Sequence, residues 1–392
     1  MMTRIDLWPE QPTIQADQIE VGFVLEDATG ARQRSWYRLP VEGQSALTGS
    51  CDPYLLPAVF TAMQKNARLV IHGQVSPSLL RNLTEFQRAW AGWRPEVYTP
   101  VEIIADDERE CQLKPERGVL TAFSGGVDSV FTVWRHHTGL AGRQNLNIQS
   151  ALMVHGFDIR LNQPQVFARA SNKAQTLLDS LGIKLITLVT NLKKTGINFD
   201  DAHAAILASC MMLLQGSYTT GLIANSYTYD NLHFPWGSNP ISDHLLSSAS
   251  FDVVHDGAAY TRLNKVKLLA QWPEALQYLR VCLEGEHRDE NCCRCEKCVR
   301  TILEFRILGL GLPACFEHDV SNSQIALLDF ASIGRIYYYR ALLGTAHENH
   351  LAGSWIHALK WAYFYNSLKL FLITQLKRIR RLHPNAKMKH IV

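Results

Sequence analysis

"LTAFSGGVDSVFTV", residues 120–133, decides the fold. An apolar run ends in a serine-glycine-glycine turn, and an amphipathic stretch follows at once. That order reads as a buried strand, a tight turn and the N-terminus of a helix. Glycines let backbone N–H groups approach an anion closely, and the helix start adds partial positive charge. The turn Ser124-Gly125-Gly126-Val127-Asp128-Ser129 has neither the Gly-Lys of a Walker loop nor a GxGxxG pattern. Ser124 and Ser129 offer hydroxyl donors, and Asp128 can hold Mg²⁺ or a loop N–H.

Outward from the turn, apolar runs alternate with helical patterns. "GVLTAFS" (118–124), "QSALMVHG" (149–156), "IKLITLVTNL" (183–192) and "YTTGLIANS" (218–226) read as strands. "FARASNKAQTLLDSLG" (167–182) and "DDAHAAILASCMMLLQG" (200–216) read as helices. The alternation predicts an α/β fold whose parallel sheet is covered on both faces, with its site at the strand C-terminal ends.

SGGVDS after an apolar strand resembles the pyrophosphate-loop motif of the N-type ATP pyrophosphatases, which include GMP synthetase, the tRNA thiolases and the preQ0 synthases. The resemblance implies an adenine nucleotide alpha hydrolase-like, Rossmann-like sheet that uses ATP and Mg²⁺. It implies that a substrate oxygen attacks the α-phosphorus, pyrophosphate leaves, and the adenylated carbon then accepts sulfur or nitrogen as AMP departs. Residues 124 to 129 would cradle the phosphates. Lys265, in "TRLNKVKLLAQW", falls where similar enzymes carry a phosphate lysine, although a solvated helix lysine fits the same pattern. His155 closes the second strand, where the adenine is expected; a hydrogen-bonded structural histidine fits there equally well.

Nine cysteines occur in 392 residues, five of them between 282 and 298. Cys282-x9-Cys292-x2-Cys295-x2-Cys298 has the spacing to wrap one tetrahedral Zn²⁺ as four thiolates, with Cys293 surplus. An iron–sulfur cluster is the rival occupant. The spacing looks like the zinc site of the preQ0 synthases, and the resemblance covers residues 117 to 312. Their substrate-loop sequence has no match here. The corresponding stretch, "ANSYTYDNLHFPWGSNPISDHLLSS" (224–248), offers Asn225, Ser226, Trp236, Ser238, Asp243 and His244 to bind a planar heterocycle.

A thionating enzyme needs a sulfur carrier. Cys111 lies in the charged stretch "DDERECQLKPERG" (106–118), where thiolate character and access are readily arranged, whereas Cys210 reads as core packing. Catalysis is therefore expected from Cys111, Asp128 and Lys265. The leading expectation is an ATP-dependent sulfur transferase acting on a small purine nucleotide such as GMP. A sulfur-donor protein such as a cysteine desulfurase would be its partner. Nitrogen transfer giving an amide or nitrile, tRNA thiolation, and a non-catalytic nucleotide-binding subunit are the alternatives.

Four segments are expected: an α+β accessory domain over 1–110, the phosphate-loop domain over 111–280, the four-cysteine segment over 281–320 and a helical region over 321–392. In the first, 18–26 and 33–41 read as strands. Helices follow from Asp52-Pro53 and Ser76-Pro77, with Asp52 as the first cap. A net charge of +3, with 47% apolar and 19% charged residues, marks an ordinary globular chain and gives no global argument for nucleic acid. The basic tail Lys377, Arg378, Arg380, Arg381, Lys387 and Lys389 reads as a solvated terminus or a tRNA contact. A cytoplasmic protein, able to form a homo-oligomer, is expected: no apolar leader opens the sequence, and residues 361–376 are too polar for a membrane span.

Overall fold

The computed structural model describes residues 3–112, 117–285 and 287–382, with side chains as far as 376. The strands, in chain order, are β1 (Thr3–Pro9), β2 (Thr13–Gln15), β3 (Gln18–Asp27), β4 (Arg32–Pro40), β5 (Ala67–Val75), β6 (Ile103–Glu108), β7 (Gly118–Ala122), β8 (Ile148–His155), β9 (Lys184–Thr190), β10 (Tyr218–Ala224) and β11 (Asp252–Asp256). The helices are α1 (Asp52–Lys65), α2 (Pro77–Trp93), α3 (Val127–His137), α4 (Pro164–Asp179), α5 (Phe199–Met212), α6 (Arg262–Leu269), α7 (Pro273–Tyr278), α8 (Glu296–Ile307), α9 (Asn322–Ala326), α10 (Ile333–Glu348) and α11 (Ser354–Leu382).

All the described strands join one sheet, in the order β11-β10-β7-β8-β9-β4-β3-β1-β5-β6, with β2 on β3. From β11 to β9 every pairing is parallel. The fold is thus α/β and Rossmann-like, as the alternating pattern predicts. The four expected strands around the turn and both expected helices form where they should, and β11 adds a fifth parallel strand. Right-handed crossovers put α3 and α4 on one face, while the return from β9 to β10 carries α5 to the other. The chain therefore reverses its direction across the sheet between β7 and β10. Crevices that hold ligands open at such a reversal, beyond the strand C-terminal ends.

The boundary expected near residue 110 is bridged by the sheet itself. β4 pairs antiparallel with β9 through Tyr37↔Thr190 and Arg38↔Val189. Thr190 Oγ1 donates to the Trp36 carbonyl at 2.7 Å, and the Tyr37 hydroxyl and Ser209 Oγ of α5 share a hydrogen bond at 2.6 Å. One apolar cluster accordingly runs from Leu7, Phe23 and Leu55 through Leu120 to Ile206 and Met211.

Asp52 does not cap α1. Cys51 holds that position, and the Asp52 carboxylate instead accepts from the Ser76 N–H at 2.8 Å and its hydroxyl at 2.6 Å, anchoring the start of α2. Burial pushes this carboxyl up despite those bonds.

The chain forms two compact units. One comprises 1–280 with 287–290; the other comprises 281–286 with 291–392. The second unit is helical beyond residue 320, as the sequence indicates, with a capping box from Ser321 and Gln324 opening α9. Among the described residues no helix is long and apolar enough to cross a membrane. The basic tail from Lys377 to Lys389 lies outside the residues whose side chains are described.

Candidate functional site

The turn that follows β7 stands at the reversal point. Gly125 has φ +76°, the left-handed region that an L side chain enters only with strain. The turn is held from within: the Ser124 N–H donates to Ser129 Oγ at 3.2 Å, the Gly126 N–H to Ser124 Oγ at 3.3 Å, and Ser129 Oγ to the Gly126 carbonyl at 3.1 Å. α3 starts directly at Val127, so its positive end faces the turn.

Lys265 comes to the same place. Thr261 caps α6, its hydroxyl accepting from the Asn264 N–H, and this presents Lys265 inward from the first turn. The lysine is 2% exposed, and its Nζ lies 2.6 Å from Asp128 Oδ1 and 2.7 Å from Asn225 Oδ1. Burial lowers its pKa, and the Asp128 carboxylate opposes that shift. Arg262 adds a second cation on Asp128 Oδ2 at 3.2 Å. Of the two sequence readings of Lys265, the solvated helix lysine is excluded by its burial. Asp128 meets these two cations here, so its carboxylate orients charge around the turn.

Arg280 escaped the sequence reading. Its N–H donates to the Gly125 carbonyl at 2.8 Å, and its Nη2 and Nε donate to the Ser124 carbonyl at 2.7 and 3.1 Å. It is 8% exposed and closes the turn from above. An arginine in "LQYLRVC" carries no motif; only its position just ahead of Cys282 sets it apart.

The expected substrate stretch divides. Asn225 belongs with the Ser-Gly-Gly turn: its Oδ1 accepts from Lys265 Nζ, and its Nδ2 donates to the Tyr227 carbonyl at 3.1 Å. Ser226 is half-buried beside it. Ser238 and Asp243 are buried and bonded to each other at 2.7 Å, and Asp243 Oδ2 also meets His255 Nδ1 at 2.8 Å. They serve the loop's own framework, with His255 as a partner the sequence did not signal. Trp236 packs edge-on against His203 and Tyr227, with ring centroids 5.2 and 5.6 Å away. Its indole N–H, with His233 Nε2 and Asn231 Nδ2, is buried without a hydrogen-bond partner. Buried polar atoms left unpaired cost about 1–3 kcal/mol each, and three of them fall within residues 231–236. His244 is exposed.

His155 is 4% exposed, its Nε2 takes the Arg160 carbonyl at 2.8 Å, and its ring stacks on Phe167. These are the contacts of a packing histidine. Burial lowers its pKa. Cys111 is not brought to the turn. Its sulfur takes a 3.7 Å contact from Gln215 Nε2, ahead of β10, and its carbonyl accepts from Ser250, ahead of β11. It therefore stands at the N-terminal edge of the parallel strands, a strand length from the Ser-Gly-Gly turn. Burial raises its pKa, which disfavours the thiolate.

In the second unit Cys282, Cys292, Cys295 and Cys298 converge, with all four sulfurs within 4.8 Å of one another. The sulfurs around one tetrahedral zinc lie about 3.8 Å apart, given Zn–S bonds of about 2.3 Å; the Cys295–Cys282 and Cys292–Cys298 separations are each 3.9 Å. Hydrogen bonds from the thiols of Cys295 and Cys298 push the Cys282 thiol below its ordinary value. Four sulfur donors on one centre, three buried and Cys292 half-buried, suit a soft or borderline metal ion. Cys293, at φ +54°, turns its sulfur to the Asn291 carbonyl and away from the cluster.

No family model and no curated protein matches this chain. Among solved structures it is similar to that of "a Type III CRISPR defence DNA nuclease activated by cyclic oligoadenylate", at 11% identity and a TM-score of 0.21. The alignment covers 93% of this chain and 57% of that one, and so weak a likeness carries no functional argument.

Proposed function

We propose that this chain is an ATP-dependent enzyme that adenylates a carbonyl oxygen of a small nucleotide-like substrate and replaces that oxygen. The observation that carries the reading is the buried Lys265, fixed by Asp128 and Asn225 beside the Ser-Gly-Gly turn at the sheet reversal. In the first step the substrate oxygen attacks the α-phosphorus, the bond to the β-phosphate oxygen breaks, and pyrophosphate leaves. Charge grows on that leaving group, where Lys265, Arg262, the turn's backbone N–H groups and the end of α3 stabilise it. In the second step a nucleophile attacks the activated carbon, and the C–O bond breaks to release AMP with the original oxygen. Mg²⁺ would neutralise phosphate charge in the first step. The four-cysteine site would hold a structural Zn²⁺.

The position of Cys111 supports nitrogen as the incoming atom. A persulfide at the opposite edge of the sheet cannot reach a carbon activated at the phosphate loop, so nitrogen transfer is favoured over sulfur carried on this chain. Sulfur would then require delivery by a separate donor protein. The test is mass spectrometry of the purified protein with Mg-ATP and a panel of purine nucleotides, given ammonium in one tube and sulfide in another. A nitrogen-for-oxygen product with AMP supports the amidating reading, and Cys111→Ser leaves it intact. A third tube replaces sulfide with a persulfidated cysteine desulfurase, whose outer sulfur passes to a thiol by exchange without an added oxidant. A thionated product formed there and abolished by Cys111→Ser restores the sulfur-carrier reading. Absence of AMP and pyrophosphate above background with every acceptor overturns the small-nucleotide assignment.

A further inference from the structure

Arg280 does more than close the turn, because of where the chain goes next. Two residues on, Cys282 enters the four-cysteine cluster. The Val281 and Cys282 N–H groups both donate to Asn291 Oδ1, at 2.9 and 3.3 Å, and Asn291 immediately precedes Cys292. Between these anchors the chain returns to the first unit over 287–290. There Asp289 pairs with Arg169 of α4 at 2.7 and 3.1 Å, its carbonyl accepts from Lys173 at 3.2 Å, and the Arg288 carbonyl accepts from Arg280 Nη1 at 3.0 Å. The Arg288 guanidinium also donates to the Asp158 carbonyl. Arg280 is thus held by the phosphate loop, by Arg288 and by the peptide leading to the first cysteine.

We propose that Arg280 is a positioning residue through which metal binding at the four cysteines sets the affinity of the phosphate loop for nucleotide. The inference rests on the nucleotide reading above. A metal ion fixes Cys282 and Cys292 together and so fixes the chain beside them, at 281–282 and 291–292. Without it the four sulfurs have no common partner, and 281–286 lose the restraint that aligns Arg280 with the Ser124 and Gly125 carbonyls. A turn freed from three hydrogen bonds no longer holds its N–H groups in one array. Two of the three bonds come from the guanidinium, so losing even part of the clamp weakens binding by roughly tenfold.

The test compares the full chain with zinc bound and after chelation, using α,β-methylene-ATP with Mg²⁺ as probe and calorimetry as readout. Hydrogen exchange at the Gly125 and Gly126 amides is followed in parallel, with Arg280→Ala and Arg280→Lys as variants. The expected result is about tenfold weaker binding and faster exchange after chelation. Arg280→Ala should already bind that weakly with zinc and change less than twofold on chelation, and Arg280→Lys should fall between. Equal affinity with and without zinc in the unsubstituted chain overturns the coupling. A further large loss in Arg280→Ala on chelation shows general unfolding and overturns it too. No probe binding by the zinc-loaded, unsubstituted chain removes the nucleotide reading itself.

Discussion

At the scale of single residues, charge burial dominates. Burial lowers the pKa of Lys265, the Asp128 carboxylate opposes that shift, and Asn225 Oδ1 accepts from Nζ at 2.7 Å. Lys265→Met preserves bulk and removes the amine beside the Ser-Gly-Gly turn, which the proposed reaction places at the phosphates. AMP formation should fall by about 10²- to 10³-fold, the usual cost of deleting one preorganised electrostatic donor, with little change in the thermal midpoint. Asp256 is the opposite case, buried for the sake of the frame. It accepts from Thr132 Oγ1 at 2.9 Å, meets His136 Nε2 at 3.1 Å and pairs with Arg135. Burial pushes its carboxyl up, but these partners outweigh burial and hold it below the ordinary value. A depressed carboxyl contributes stability in full above its unfolded pKa of about 3.9, and loses it as the pH falls through the lower folded value. Asp256→Ala strands the Arg135 guanidinium and should cost about 3–5 kcal/mol in urea titrations near neutral pH. The acid-unfolding contribution below about pH 4 should vanish with it.

At the scale of elements, close approach sets what the chain tolerates. On β10, a Cβ added at Gly221 would lie 2.9 Å from both Met211 Sδ of α5 and Phe251 Cζ. Gly221→Val should therefore destabilise by about 1–3 kcal/mol, seen as a lower denaturant midpoint with an unchanged slope. The phosphate turn is stricter. Gly125→Ala places a Cβ at φ +76° and 3.4 Å from Arg280 Cβ, so nucleotide affinity should suffer more than stability. β7 to β10 were legible because each is a short, β-branched or apolar run between turn residues. β6, "IIADDE", was not: half its residues face water, and its pairing with β5 is a long-range fact no local pattern encodes. β11, "DVVHD", is equally short and polar, and owes its place to β10.

At the scale of the whole molecule, the two units should answer differently to metal removal. Elemental analysis should find one zinc per chain, and Cys295→Ser should lose it. Structural zinc sites contribute on the order of 10 kcal/mol, so chelation should lower the melting of the 291–382 helices well before that of the sheet. Near-ultraviolet circular dichroism across a temperature ramp would resolve two transitions where the loaded protein shows one or a narrower pair.

What the sequence determined by itself is local. The strand-turn-helix at 118–137, the two CxxC steps and the alternation of apolar runs with amphipathic helices are written in neighbouring residues, and each folded as its pattern required. Only the tertiary structure joined 1–110 to the parallel sheet, since the β4–β9 pairing depends on residues about 150 positions apart. It carried Arg280 onto Ser124 for the same reason. It also set Cys111 at the far edge of the sheet: a charged segment reports exposure, whereas which end of a strand it precedes is decided by chain path. Local chemistry named the groups that can act; distance, which only the fold supplies, decided which of them act together.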